Sequence, residues 1–135
     1  MKPRGLRNNN PGNIRNSDAT DWIGEVKTSM KKDNAFEEFE TMAHGYRALI
    51  KLLQNYRVKH KCQTIADFIN RWAPRTENNT TAYIITVCRE LEVPSNYVPD
   101  VFDKSTMCAF ASAISLVENG VRAIRSEVEA GWSML

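Results

Sequence analysis

Few residues of this 135-residue chain have the type and setting for chemistry, and two of them are glutamates. Glu118 stands in AISLVENG, where an apolar helical run meets an acid and Asn119-Gly120 then stops it. A carboxylate at that position faces the negative end of the helix dipole, and partial burial also disfavours its charge. Both effects raise its pKa. A carboxylic acid still protonated near neutral pH is what a general acid needs to cleave a glycosidic bond. The plainer reading is a surface glutamate that precedes a helix cap. Glu77 stands in RWAPRTENNTTAY, a polar stretch just ahead of a helix start. There the dipole favours its charged form, which suits a hydrogen-bond acceptor; helix capping and loop ordering are the plainer roles. His44 and His60 lie on or near one long helix, without HExxH spacing or a nucleophile partner, and read as surface or helix-end residues. NNNPGN lacks the Lys-Ser/Thr ending of a phosphate-binding loop.

The bulk properties are those of one soluble globular domain, residues 1–135, with 42% hydrophobic and 25% charged residues. A net charge of +2 argues against a polyanion partner over the whole surface. The charge is uneven: Lys2, Arg4, Arg7 and Arg15 precede any acid. Such an arm can meet an anionic polymer or lie solvated. Cys62, Cys88 and Cys108 are odd in number and form no CxxC, which argues against a disulfide framework or a zinc site. Cys88 and Cys108 sit at helical spacing among apolar residues and read as core. The chain shows no signal-peptide pattern and no apolar run of about 18 residues, so synthesis in the cytoplasm without a membrane span is expected.

Residues 1–40 are rich in Asn, Gly, Asp and Lys, and read as loops with two short strands near 23–28 and 36–40. From Thr41 the period becomes helical. Thr41 caps a helix to about His60, whose apolar face is Met42, Tyr46, Leu49, Ile50, Leu53 and Tyr56. Gly45 within its first turns marks a close approach by another backbone or a ligand. Thr64 with Asp67 forms a capping box for a helix burying Ile65, Phe68, Ile69 and Trp72, stopped by Pro74. Asn79 or Thr80 caps the next helix, Ser105 starts another that ends at Gly120, and Ser126 with Glu129 opens the last through a second box. The fold class is therefore mainly α, an α+β arrangement with a small irregular or β part at the N-terminus.

The patterns RGLRNNNPGNIR, RWAP-x-x-EN-x-T-x-x-Y and AISLVENG resemble a group of small phage and prophage proteins, named as virion structural proteins or as peptidoglycan hydrolases. The likeness covers nearly the whole chain. In mechanism the sequence also resembles lysozyme-like lytic transglycosylases and glucosaminidases. There a helix ends in the catalytic glutamate, and an Asn-x-x-Gly-Ile-Lys-like segment lines the sugar groove. AISLVENG is similar to the first piece and NNPGNIR to the second, in reversed order, as a circular permutation would give. The resemblance implies a lysozyme-like helical fold with Glu118 as general acid. It implies that Asn9, Asn10, Asn13 and Arg15 point into the groove, since amides and guanidinium groups match sugar hydroxyls, N-acetyl groups and carboxylates. Without it, NNNPGN would be only a turn whose side chains bond its own backbone. Glu77 and Asn78 join the substrate-binding set, and Trp22, Tyr46 and Tyr83 are candidate walls for sugar stacking, while Trp72 belongs to the core.

The expected activity is cleavage of the β-1,4 bond between N-acetylmuramic acid (MurNAc) and N-acetylglucosamine (GlcNAc) in peptidoglycan strands. No metal or cofactor is implied. A hydrolase needs a second carboxylate ~5–9 Å across the sugar; Asp18, Asp21 and Glu25 are the candidates. A lytic transglycosylase needs one acid, and the lack of an obvious second one tilts the reading that way. The rival is a non-catalytic virion or prophage module that binds cell wall or other virion proteins. Nucleic acid is disfavoured, because TIADFINRWAP has a broad apolar face and carries Asp67 on its polar one. A monomer is expected, reaching the wall by virion, lysis or secretion machinery.

Overall fold

The computed structural model describes residues 2–135. Among them are six α-helices: α1 (Arg4–Arg7), α2 (Met42–His60), α3 (Ile65–Trp72), α4 (Thr80–Leu91), α5 (Lys104–Asn119) and α6 (Arg125–Ser133). The protein is mainly helical, as its periodicity predicts.

Each long helix begins where a side chain can satisfy its free N–H groups. The Thr41 hydroxyl accepts from the His44 N–H at 3.1 Å. Thr64 and Asp67 form the reciprocal box, with bonds of 3.0 and 3.1 Å. Asn79, rather than Thr80, caps α4 through the Ala82 N–H at 3.2 Å. Asp103, rather than Ser105, caps α5 through the Thr106 N–H at 2.9 Å. Caps of this kind are worth about 1 kcal/mol each. Gly120 ends α5 with φ 71°, the left-handed conformation glycine adopts freely. The second predicted box does not form. α6 starts a residue earlier, at Arg125, so Ser126 lies inside the helix and Glu129 turns to Arg125 at 3.6 Å.

One apolar core joins α2 to α6. Leu49, Ile50 and Leu53 from α2, Ile65, Phe68 and Ile69 from α3, Val87 from α4, Met107, Phe110 and Ile114 from α5, and Val128 from α6 are all buried. Phe68 meets Phe110 edge to face, with ring centres 5.6 Å apart. α6 lies closely along α2 because Gly131 has no side chain; a Cβ there would stand 2.7 Å from that of Tyr46.

Residues 2–41 are built differently. The two predicted strands reduce to isolated antiparallel bridges, Arg15 with Phe36 and Glu25 with Phe39, and a 3-10 turn at Thr28–Met30. The segment has too few alternating apolar residues to make a half-buried ribbon. Polar hubs hold it, beside a small apolar cluster of Ile14 and Phe39 against Ala48 of α2. Asp33 accepts from Arg4 at 2.6 and 2.7 Å, from Asn8 at 2.9 Å, and from the Ala35 and Phe36 N–H groups. The Arg4 guanidinium holds its carboxyl well below the usual range. Lys31 is buried between Glu37 and Glu25, and also donates to Asn16 Oδ1 at 3.0 Å. Arg4–Arg7 forms one helical turn that composition did not foretell.

The segment docks on α2 at Gly45. A methyl group there would collide with the Asn9 carbonyl and the Pro11 ring. The close approach predicted at this glycine is made by backbone.

Candidate functional site

The docked segment leaves a groove of about 380 Å³ against the helices. Its walls are Gly12–Arg15 and Phe36 from the N-terminal segment, Leu52 and Tyr56 from α2, Arg71 and Trp72 from α3, the following turn as far as Asn78, and Glu118 from α5.

Glu118 stands on the last turn of α5 with both oxygens held. Oε1 accepts from Asn13 Nδ2 at 2.8 Å, and Oε2 accepts from the Tyr83 hydroxyl at 2.8 Å. Burial, then the neighbouring Glu118 charge and their bond, push the Tyr83 phenol far above its ordinary range, so it remains a donor at any working pH. The next residue fixes the same junction. Asn119 donates to the Pro11 carbonyl at 3.0 Å and back to the Ser115 carbonyl at 3.0 Å. The left-handed backbone of Asn13, φ 51°, is a conformation asparagine tolerates better than most residues. It swings the amide toward α5.

Thus Glu118, Asn13, Arg15, Glu77 and Asn78 line one groove, and Tyr83 supports Glu118 from the buried side. Arg15 and Glu77, 62 residues apart, pair at 3.2 Å with both side chains largely exposed.

Other expected contacts are elsewhere. Asn10 is fully buried; its amide accepts from the Ile14 N–H at 2.9 Å and donates to the Ile14 and Glu37 carbonyls. This is the self-bonded turn that NNNPGN suggests by itself. Asn9 spends its amide on the Phe39 carbonyl at 3.1 Å. Tyr46 is buried under α5, with its hydroxyl 3.0 Å from Ser115 Oγ. Trp22 packs on Ile14, Phe39 and Ala48, outside the groove. These four side chains belong to the frame and do not line the groove. Asp18 and Asp21 are exposed away from the groove, and Glu25 is engaged by Lys31.

Trp72 moves the other way. Assigned to the core by periodicity, it is half-buried and forms a groove wall, its ring edge against Gly12. Tyr56 meets it at 6.1 Å between ring centres, and the Arg71 guanidinium lies over Tyr56 at 5.2 Å. The pattern RWAP contains Arg71 and Trp72, and Tyr56 comes from α2. Helical periodicity alone cannot distinguish a core face from a face that lines a cleft. Among the described residues, no cluster of three metal-ligating side chains occurs.

Fold and site together define a small helical protein with a carboxylate fixed in a polar, aromatic-walled groove. No protein-family model matches the chain. The sequence is 40% identical to "Protein P5" of Pseudoalteromonas phage PM2 over 119 residues, spanning 87% of this chain and 71% of that protein. The chain belongs to the family of that phage protein. Among the described residues, no helix is long and apolar enough to cross a membrane.

Proposed function

We propose that the groove binds peptidoglycan glycan strands and that Glu118 is the general acid for cleavage of the MurNAc–GlcNAc bond. The observation that carries this reading is the fixed Glu118 carboxylate in a groove that also offers Asn13, Asn78, Arg15 and the Trp72 ring. The protonated acid gives its proton to the glycosidic oxygen as the C1–O bond breaks. Tyr83 and Asn13 keep the carboxyl group in one orientation and then hold the carboxylate left behind. In a transglycosylase the 6-hydroxyl of the same sugar closes on C1 and gives its proton to the Glu118 carboxylate, forming an anhydro product. In a hydrolase water attacks instead and gives its proton to Glu77, the second carboxylate lining the groove. Action follows delivery to the wall by virion, lysis or secretion machinery.

A second reading is a non-catalytic virion or wall-binding module. It is favoured by the bonds on both Glu118 oxygens, which also clasp α5 to the N-terminal turn. Digestion of purified peptidoglycan by wild type and Glu118→Gln, read by mass spectrometry, separates the two. Anhydro-muropeptides from wild type and a loss of about 100-fold or more in the variant support a transglycosylase. Reducing ends support a hydrolase and call for Glu77→Gln. No product from folded wild type on several wall types sinks the catalytic reading.

A further inference from the structure

Two arginines line the groove, and they are held differently. Arg15 is paired with Glu77 at 3.2 Å. Arg71 has no carboxylate partner among the described residues. One nitrogen, Nη2, lies 3.2 Å from His60 Nε2, and since arginine only donates, the histidine nitrogen accepts. Its guanidinium carbon lies over the Tyr56 ring at 5.2 Å, and Tyr56 in turn meets Trp72. The ring and the imidazole restrict the guanidinium, whose remaining N–H groups have no partner among the described residues. A restrained guanidinium binds a planar carboxylate through two parallel bonds, at little further cost in side-chain entropy. Neutral sugar hydroxyls do not require it; the amides of Asn13 and Asn78 suffice for them. The neighbouring Trp72 ring offers an apolar face to the sugar itself.

We propose that Arg71 reads a carboxylate on the bound glycan while the sugar bearing it packs on Trp72, so that the groove selects acidic glycans over neutral ones. This rests on the reading of the groove as a glycan site, but it does not require cleavage. Glu118 and Glu77 disfavour a nearby anion in general, which makes a placed cation the more necessary for an acidic ligand.

The test is binding of the disaccharide GlcNAc-MurNAc with its lactyl carboxylate free, against the same disaccharide amidated at that carboxyl. It lacks the MurNAc–GlcNAc bond, so wild type is usable without turnover. Calorimetric titration is expected to give at least about tenfold tighter binding of the free acid. Arg71→Gln is expected to erase that preference and leave affinity for the amide within about twofold. Arg71→Lys, which keeps the charge but not the fork, is expected to fall between them. Equal wild-type affinity for the two sugars overturns the inference and leaves the glycan site standing. A preference retained in folded Arg71→Gln overturns the assignment to Arg71. No binding of either sugar at millimolar concentration overturns both the inference and the glycan reading.

Discussion

The N-terminal segment and the helical part hold their shapes by opposite means. From α2 onward, buried side chains such as Leu49, Phe68, Phe110 and Ile114 exclude water. Each fully buried side chain contributes about 1.5–3 kcal/mol of transfer free energy. Before α2, directed bonds organise the chain: Asp33 reaches back 29 residues to Arg4, and Lys31 gathers Glu25 and Glu37 from either side. Apolar packing tolerates small shifts, whereas a buried ion without its partner does not. The groove lies along the seam, so its walls respond to both kinds of damage.

Phe110→Ala should give the largest effect, lowering global stability by about 3–5 kcal/mol in urea unfolding, with both parts lost together. Lys31→Ala comes next. It leaves the fully buried Glu37 carboxylate without a cation, at a cost of about 3 kcal/mol. Hydrogen exchange should place that loss in residues 2–41, with α3 to α6 still protected; uniform loss of protection would erase the contrast between the parts. Tyr83→Phe removes one donor from Glu118 and should cost about 1 kcal/mol. If the catalytic reading holds, the same change lowers turnover while Phe110 and its neighbours stay packed.

The smallest effect is that of pH. Asp33 has a lowered folded-state pKa, so its contribution is complete above about pH 4 and fades as pH falls toward the folded value. Lys31 has a raised one: its partners Glu37 and Glu25 outweigh the cost of its burial. Its contribution is complete below about pH 10 and fades as pH rises past the folded value. The indole signal of Trp22, in the segment, should therefore shift at both extremes before that of Trp132, in α6. Simultaneous shifts would mean that the two parts melt as one. The acid arm is weak because Arg4 is 44% exposed and water screens its pair with Asp33.

The helices were legible because their signals are local. Thr41, the Thr64–Asp67 box and Gly120 act within a turn of themselves, and apolar spacing identifies the buried face. The first forty residues were not, because the partners of Arg4, Asn9 and Asn10 lie about thirty residues away and follow no period. In the groove, the link from Glu118 to NNNPGN came from resemblance, and it reaches Asn13 and Arg15 but passes over Asn9 and Asn10. Trp72 packs on the core as its spacing predicts, and its groove face is hidden from the sequence because a ring half inside a core and half inside a cleft has the same spacing as one wholly inside. Ser126 was misread because a capping pattern has force only when the helix begins there.

The bond from Asn13 to Glu118 spans 105 residues, and that from Asn119 to Pro11 spans 108. During synthesis at 5–20 residues per second, the first wall of the groove emerges from the ribosome roughly 5–20 s before the residue that completes it. A nascent or interrupted chain has no assembled site. Whatever the groove does begins only once the chain has been made past Asn119, which delays it in the cell where the chain is made.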